Sequence, residues 1–153
     1  MERIAKFYKV SRNEETKDFY DDVRLPERAT KGSAGYDFFM PYDLVIKAGE
    51  TKKILTGVRA KIEEGYVLLI FPRSSLGMKY KLSLDNTVGV IDSDYYNALN
   101  EGHIMLFMTN HSNNDLCLKK GDRCAQGVFL KFGITVDDDI KTERTGGYGS
   151  TGK

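Results

Sequence analysis

The chain has 153 residues, the size of one ordinary domain that buries a core without disulfides or metals. Its 23 Lys and Arg nearly balance its 22 Asp and Glu, which gives a net charge of +1. This charge does not indicate binding to duplex nucleic acid or to an anionic membrane. No segment approaches the roughly 18 apolar residues of a membrane span, and residues 1–10 lack the apolar stretch of a signal peptide. We therefore expect a cytoplasmic protein that binds neither nucleic acid nor membrane.

In chain order, short apolar or alternating runs separated by turn residues predict an all-β domain. The polar segment 11–23 is expected to be a loop or insertion. One short helix is predicted over Ser74–Tyr80, with a serine capping its first turn. The regular spacing of the turns favours a sandwich or barrel, and no linker or repeat divides the chain. The strands are predicted over residues 44–46, 53–58, 66–71, 103–108 and 126–132.

Cysteine and histidine are scarce. The spacing of Cys117 and Cys124 fits no zinc or redox motif, so we expect two reduced, half-buried thiols. His103 and His111 are the only histidines, and a dedicated transition-metal site is therefore not expected.

Two clusters offer donors for an anion. Arg73, Ser74 and Ser75 follow the apolar run 66–71 and supply a guanidinium fork and two hydroxyls, although a solvated strand-to-helix turn would explain the same composition. In the stretch 121–126, Gln126 is placed to donate to a phosphate oxygen. Asp122 and Arg123 in that stretch are more simply explained as a surface pair.

A third cluster runs from residue 85 to residue 95. Asn86–Ile91 is a candidate hairpin whose amide side chain and backbone suit the edge of a pyrimidine, and Gly89 allows a close approach. Asp92 directly follows an apolar run, where a carboxylate could orient and deprotonate a water. A turn with solvated acids is an equally good explanation of these residues.

The fourth cluster is the glycine-rich tail 144–152, which supplies Arg144, hydroxyls and one aromatic ring. Such a tail is either a phosphate-binding lid or an idle linker. The four clusters together suit cleavage of a phosphate ester without a protein-bound metal cage, with Mg²⁺ carried by a triphosphate.

These clusters, preceded by Ala34-Gly35-Tyr36-Asp37, resemble the five ordered motifs of the homotrimeric all-β dUTP pyrophosphatases (dUTPases). The resemblance implies a jelly-roll or distorted β-barrel subunit, with one β domain over 1–143 and a flexible lid over 144–153. It also implies a trimer with shared active sites that hydrolyses dUTP to dUMP and pyrophosphate with Mg²⁺, in the host cytoplasm if the source is a virus. The lid would close over the site of a neighbouring subunit.

The resemblance also implies roles for individual residues. Asp92 matches the carboxylate that activates water, and Arg73 and Gln126 match phosphate contacts that act in catalysis. Asp37 matches a carboxylate that supports the site from behind. Substrate contacts are implied for Ser74, Ser75, Gly77, Asn86, Gly89, Ile91, Tyr95, Arg144, Tyr148, Gly149, Ser150 and Thr151; among them, Asn86 would read uracil and Tyr95 would pack under the deoxyribose.

The chain departs from the family in three places: the stretch 96–102 holds a small insertion, Cys124 replaces a usual aliphatic residue, and Tyr148 replaces a usual Phe. Two alternatives stay open. One is a dCTP deaminase of the same fold, and the other is a dUTPase-like regulatory module whose protein partner would bind at 11–23 and 96–102.

Overall fold

The computed structural model describes residues 1–147, which form twelve strands, one α-helix and two 3₁₀ turns. The helix, α1, spans Ser74–Tyr80, and the 3₁₀ turns span Tyr20–Asp22 and Ser93–Asn97. The strands are β1 (Ala5–Lys9), β2 (Glu27–Arg28), β3 (Tyr36–Phe39), β4 (Leu44–Ile46), β5 (Thr51–Leu55), β6 (Val58–Ile62), β7 (Tyr66–Pro72), β8 (Leu82–Leu84), β9 (Gly89–Ile91), β10 (Met105–Asn110), β11 (Leu116–Leu118) and β12 (Arg123–Lys131).

Four antiparallel sheets enclose one core. The largest has the order β2-β3-β12-β7-β9, and β5-β10-β8 forms a second sheet. β1 pairs with β6, and β4 pairs with β11. The all-β prediction, with at most one or two short helices, is confirmed. The largest fully buried side chains in the core include Phe38, Met40, Ile46, Ile54, Leu68, Ile70, Ile104 and Met108.

The predicted strand 53–58 is wrong, because the chain leaves β5 and enters β6 within it. Gly57 has φ +71°, in the left-handed region that favours glycine, and it breaks the run. The Thr56 hydroxyl fixes this corner by donating to the Ile104 carbonyl at 2.6 Å. Apolar residues on both sides of the corner hid the break from a pattern based on hydrophobicity alone.

The strand predicted over 44–46 is confirmed as β4, and those over 66–71, 103–108 and 126–132 are confirmed with shifted ends. The helix is confirmed over Ser74–Tyr80, but the serine cap is wrong: Arg73 occupies the N-cap position and makes no side-chain cap bond. The turn at Asn86–Ile91 does not join a paired hairpin, because β8 lies beside β10 while β9 lies beside β7.

The segment 11–23 contains no strand, as predicted, but it is packed against the domain. Thr16, Phe19 and Val23 are buried, and the Phe19 ring lies 5.0 Å from the Tyr42 ring. The prediction of two half-buried thiols is also wrong. Cys117 is exposed on β11, whereas Cys124 is fully buried, and burial raises its pKa to about 12.

Among residues 1–147, no helix is long and apolar enough to cross a membrane.

Candidate active site

A β-bulge in β12 gathers the first group of predicted site residues. Gln126 lies opposite Asp37, and Arg123 lies opposite Phe39, with one extra residue between the paired positions. Because side chains alternate along a strand, the bulge turns Arg123 to the same face as Gln126. Arg123 then reaches Asp37 diagonally, with its Nε 3.4 Å from the carboxylate.

Arg73 joins this face from the neighbouring strand. Gln126 lies opposite Phe71 on β7, and Arg73 follows two residues later, just beyond the end of that strand. Its Nε lies 3.3 Å from Asp37. The nearly buried Asp37 carboxylate therefore holds two guanidinium groups side by side. It orients both groups, but its single negative charge cannot neutralise two positive charges.

The residues around this group leave room for it. A Cβ at Gly35 would lie 2.8 Å from the Gln126 amide oxygen, so glycine permits the position of that side chain. Ser74 and Ser75 are exposed in the first turn of α1, beside Arg73. Gly77 lies in the same helix, where its amide donates to the Arg73 carbonyl at 2.9 Å.

β9 holds the second group of predicted residues. It places Gly89 opposite Ile70 and Ile91 opposite Leu68 on β7. A Cβ at Gly89 would lie 3.1 Å from the Ile70 side chain, so glycine here lets the two strands pack closely. Asn86 is exposed in the turn before β9.

Asp92 follows β9 directly and its side chain is half exposed. Its Oδ2 accepts a hydrogen bond of 2.7 Å from Nη2 of Arg144 in the same chain, and Asp94 accepts one of 2.8 Å from Nε of Arg144. The Arg144 side chain is only 10% exposed in this position. The structure therefore brings the start of the tail onto the predicted catalytic carboxylate.

Tyr95 is buried behind Asp92. Its hydroxyl donates to the His103 carbonyl at 2.7 Å and accepts from the Asn100 amide at 2.8 Å. The Arg144 guanidinium lies over its ring, 5.6 Å from the centroid. Tyr148, Gly149, Ser150 and Thr151 lie outside the described residues.

The two groups lie at opposite ends of β7. Arg73 follows the last residue of β7, whereas Asp92 follows Ile91, whose partner is Leu68 near the start of β7. At about 3.3 Å per residue, the backbones of Arg73 and Asp92 are separated by about 20 Å along the strand. One chain alone therefore does not bring the carboxylate to the paired arginines.

Sequence reasoning missed two contributors. Arg123 pairs with Asp37, whereas Asp122 accepts from the Lys119 amide, so the predicted surface pair between Asp122 and Arg123 is wrong. Asn100 was assigned to an insertion, yet it anchors Tyr95. A bulge and a turn conformation produce these contacts, and neither follows from residue type.

The donor chemistry differs between the two groups. Arginines, hydroxyls and an amide suit phosphate oxygens, and the carboxylates of the second group suit a water or a cation. Within residues 1–147, no three His, Cys, Asp or Glu side chains are grouped closely enough to hold a metal ion.

The chain is similar to known dUTPases along most of its length. The sequence model of the dUTPase family matches residues 21–152. A deoxyuridine 5'-triphosphate nucleotidohydrolase of Lactococcus lactis is 44% identical over 133 residues, which cover 85% of this chain and 89% of the relative. One of Nautilia profundicola is 41% identical over 142 residues and covers 90% of this chain and 96% of the relative.

The fold agrees as well. The crystal structure of a dUTPase from Streptococcus mutans superposes with a TM-score of 0.73 at 41% identity, over 84% of this chain and 97% of that one. The predicted jelly-roll class is thereby confirmed. The chain belongs to the dUTPase family.

Proposed function

We propose that the chain hydrolyses dUTP to dUMP and pyrophosphate, which keeps uracil out of DNA and supplies dUMP. The observation that carries this proposal is the pair of arginines on Asp37 beside Gln126, together with a half-exposed Asp92 at the end of β9. The two relatives described above are named for the same reaction. A dCTP deaminase is not favoured by these relatives.

The active site is shared between subunits of a homotrimer. The separation of about 20 Å between Arg73 and Asp92 supports this, because water attack on a bound triphosphate needs both groups at one substrate. A second copy of the chain supplies the Asp92 half of the site to the arginine group of the first. The third copy completes a closed ring of equivalent interfaces.

The arginine group binds the triphosphate. Arg73 presents its fork to phosphate oxygens, and Ser74, Ser75 and Gln126 donate hydrogen bonds beside it. Asp37 holds Arg73 from behind, so the guanidinium is oriented before the substrate arrives. Such fixed donors stabilise the charge that develops as pyrophosphate leaves.

The carboxylate group supplies the base and the nucleoside site. Asp92 takes a proton from the water that attacks the α-phosphorus. Asn86 and the backbone of Gly89 and Ile91 contact the uracil edge, and Tyr95 packs under the deoxyribose. The hydrogen bonds from Tyr95 to His103 and from Asn100 to Tyr95 fix the ring for that contact.

The tail from Arg144 onward is a lid separate from the β domain of residues 1–143. In the structure, Arg144 is held by Asp92 and Asp94 of its own chain. A triphosphate carries more negative charge than these two half-exposed carboxylates, and it competes for the same guanidinium. The exchange frees Asp92 for water and closes the lid over a substrate on a neighbouring subunit.

Mg²⁺ fits this site as an ion carried by the substrate. The arginine group repels a cation, and Mg²⁺ commonly binds through phosphate oxygens while keeping several waters. The ion spreads the charge that develops on the phosphates. A cytoplasmic location agrees with the two free cysteines.

Product analysis tests the reaction. The chain is incubated with dUTP, dTTP, dCTP and UTP in the presence of Mg²⁺, and the products are separated by chromatography. We expect dUMP and pyrophosphate from dUTP alone. Ammonia release from dCTP, or the absence of dUMP, would reject the proposed function.

The role of Asp92 has its own test. Asp92→Asn keeps the shape of the side chain but removes the base, so we expect turnover to fall by at least about 100-fold while nucleotide affinity changes little. Turnover and the affinity for a non-hydrolysable α,β-imido dUTP are measured side by side. Normal hydrolysis by this variant would remove Asp92 from its assigned role.

A further inference from the structure

The 3₁₀ turn that follows Asp92 is held from behind by Arg59 of β6. The Arg59 guanidinium lies 3.6 Å from the centre of the Tyr96 ring, a cation–π contact, and its Nη2 donates to the Tyr96 carbonyl. The Tyr96 ring also contacts Tyr8 of β1, with centroids 5.9 Å apart. The turn therefore rests on the ribbon of β1 and β6, which lies outside the sheet that carries Asp92.

Glu101 completes this contact from the other side. Its carboxylate lies 3.6 Å from Nη1 of Arg59 and accepts from the backbone amide and the hydroxyl of Ser11. Glu101 has φ +62°, in the left-handed region, and Gly102 follows at φ +70°. A Cβ at Gly102 would lie 2.5 Å from the Tyr95 carbonyl, so the chain returns tightly against the turn at this point.

Arg59 makes three kinds of contact through its guanidinium group. Its side chain is 17% exposed, and its Nε is buried without a hydrogen-bond partner among the described residues. A planar guanidinium can stack on Tyr96, donate to a carbonyl and meet a carboxylate at the same time. A lysine would keep the charge and lose the stacking and the fork.

We propose that Arg59 and Glu101 are positioning residues that fix the Asp92 carboxylate for water attack, so that Ser11 and the segment 96–102 serve catalysis by holding one turn. The proposal rests on the proposed function, because Asp92 is the group being positioned. Asp92 begins this turn, and its carbonyl accepts the Tyr95 amide at 3.2 Å. Its side chain makes no capping bond of its own, so the turn and β9 fix its place.

The consequence is a specific kinetic signature. A misplacement of about 1 Å at a reacting group can cost about 100-fold in rate, and a loosened turn displaces Asp92 by part of that. The arginine group that binds the triphosphate lies at the other end of β7 and is untouched. Tyr95 lies in the turn, but its hydroxyl is held by His103 and Asn100 and not by Arg59. Loss of Arg59 should therefore lower kcat far more than it lowers nucleotide affinity.

The experiment compares Arg59→Met, Arg59→Lys and Glu101→Gln with the matched control Lys61→Met. Lys61 is exposed on the same strand, two residues beyond Arg59. For each full-length variant we measure kcat with dUTP, the Kd of α,β-imido dUTP, the thermal midpoint and the oligomeric state.

We expect Arg59→Met to lower kcat by about ten-fold with Kd within about two-fold, and Arg59→Lys to recover part of the loss. Glu101→Gln should lower kcat by about three-fold, and it carries the test alone if Arg59→Met does not fold. Lys61→Met should keep kcat within about two-fold of wild type.

Two results would overturn the positioning role. One is a kcat in Arg59→Met and Glu101→Gln that equals that of Lys61→Met. The other is a parallel loss of kcat, affinity and thermal midpoint, which describes a general loss of structure. Asp92→Asn is assayed in the same series: if that variant hydrolyses dUTP normally, the proposed role of Asp92 has failed rather than the contact made by Arg59.

Discussion

Two inactive variants of this protein should restore each other's activity when their subunits are mixed. Arg73→Gln removes the guanidinium from the phosphate group, and Asp92→Asn removes the base from the opposite end of β7. Each variant alone lacks one group at every site. A mixed trimer, however, can place an intact Arg73 of one chain beside an intact Asp92 of another.

The size of the recovery follows from the geometry. About 20 Å of β7 separates the two residues within a chain, so in the proposed shared site Arg73 and Asp92 come from different chains. In a random equal mixture, about half of the chains at either position carry the intact residue. About one quarter of the sites are then complete, and we expect about one quarter of the wild-type turnover.

The assay needs subunit exchange before the measurement. The two variants are denatured together, refolded at equal concentrations, and assayed for pyrophosphate release from dUTP. Variants refolded separately and mixed afterwards are the control. A mixture no more active than this control, with trimers confirmed by light scattering, would show that Arg73 and Asp92 act within one chain and would refute the shared site.

Three further predictions concern the lid, a corner and a buried imidazole. Truncation immediately before Arg144 should lower turnover by at least about ten-fold and shift the thermal midpoint by less than about 2 °C. The reason is that the tail supplies hydrogen-bond donors to the substrate and is not part of the hydrophobic core. Steady-state kinetics and calorimetry measure the two effects. Gly57→Ala should destabilise the fold by about 2–3 kcal/mol in urea titrations, because φ is +71° and the new Cβ would lie 2.5 Å from Val23. Gly49→Ala is the control: its φ is +75° but the new Cβ would lie in open space, so it should cost only about 1 kcal/mol. Burial lowers the pKa of His103 from its ordinary 6.5, and its Nε2 accepts a hydrogen bond of 2.9 Å from the Gly57 amide. As the pH falls below about 6.5, the His103 imidazole is therefore protonated in the unfolded chain before it is protonated in the folded chain. The free energy of unfolding should then decrease by at most about 1.4 kcal/mol per pH unit, and His103→Gln should remove this part of the dependence.

The sequence predicted the fold where local signals were strong. β7 and α1 lie within about one residue of their predicted ends, because an apolar run, a proline and a polar start mark them. The corner at Thr56–Gly57 was missed, because a single glycine inside an apolar run resembles a tolerated strand residue. A Cβ at Gly57 would lie 2.5 Å from Val23, and this close approach of a residue distant in the sequence cannot be predicted from the local pattern.

The candidate site, like the fold, could be predicted from the sequence only in part. Asp37 was singled out from its motif, but its contact with Arg123 depends on a bulge that shifts the register of β12 by one residue. A one-residue shift exchanges the faces of all side chains beyond it, and residue type does not reveal the shift. Arg59 gave no signal in the sequence, because an isolated arginine in a strand is ordinarily solvated.

The need for a second chain follows from one antiparallel pairing. Arg73 comes after β7, and Asp92 comes after β9, so both lie beyond the carboxyl ends of their strands. In a parallel sheet those ends would share an edge and could meet in one chain. β9 runs against β7, with Ile91 opposite Leu68, and this direction sends Asp92 to the far edge. Motifs that are close in the sequence are thus kept apart within the subunit, and for this reason the proposed function needs contact between copies to bring Asp92 and the arginine group to one substrate.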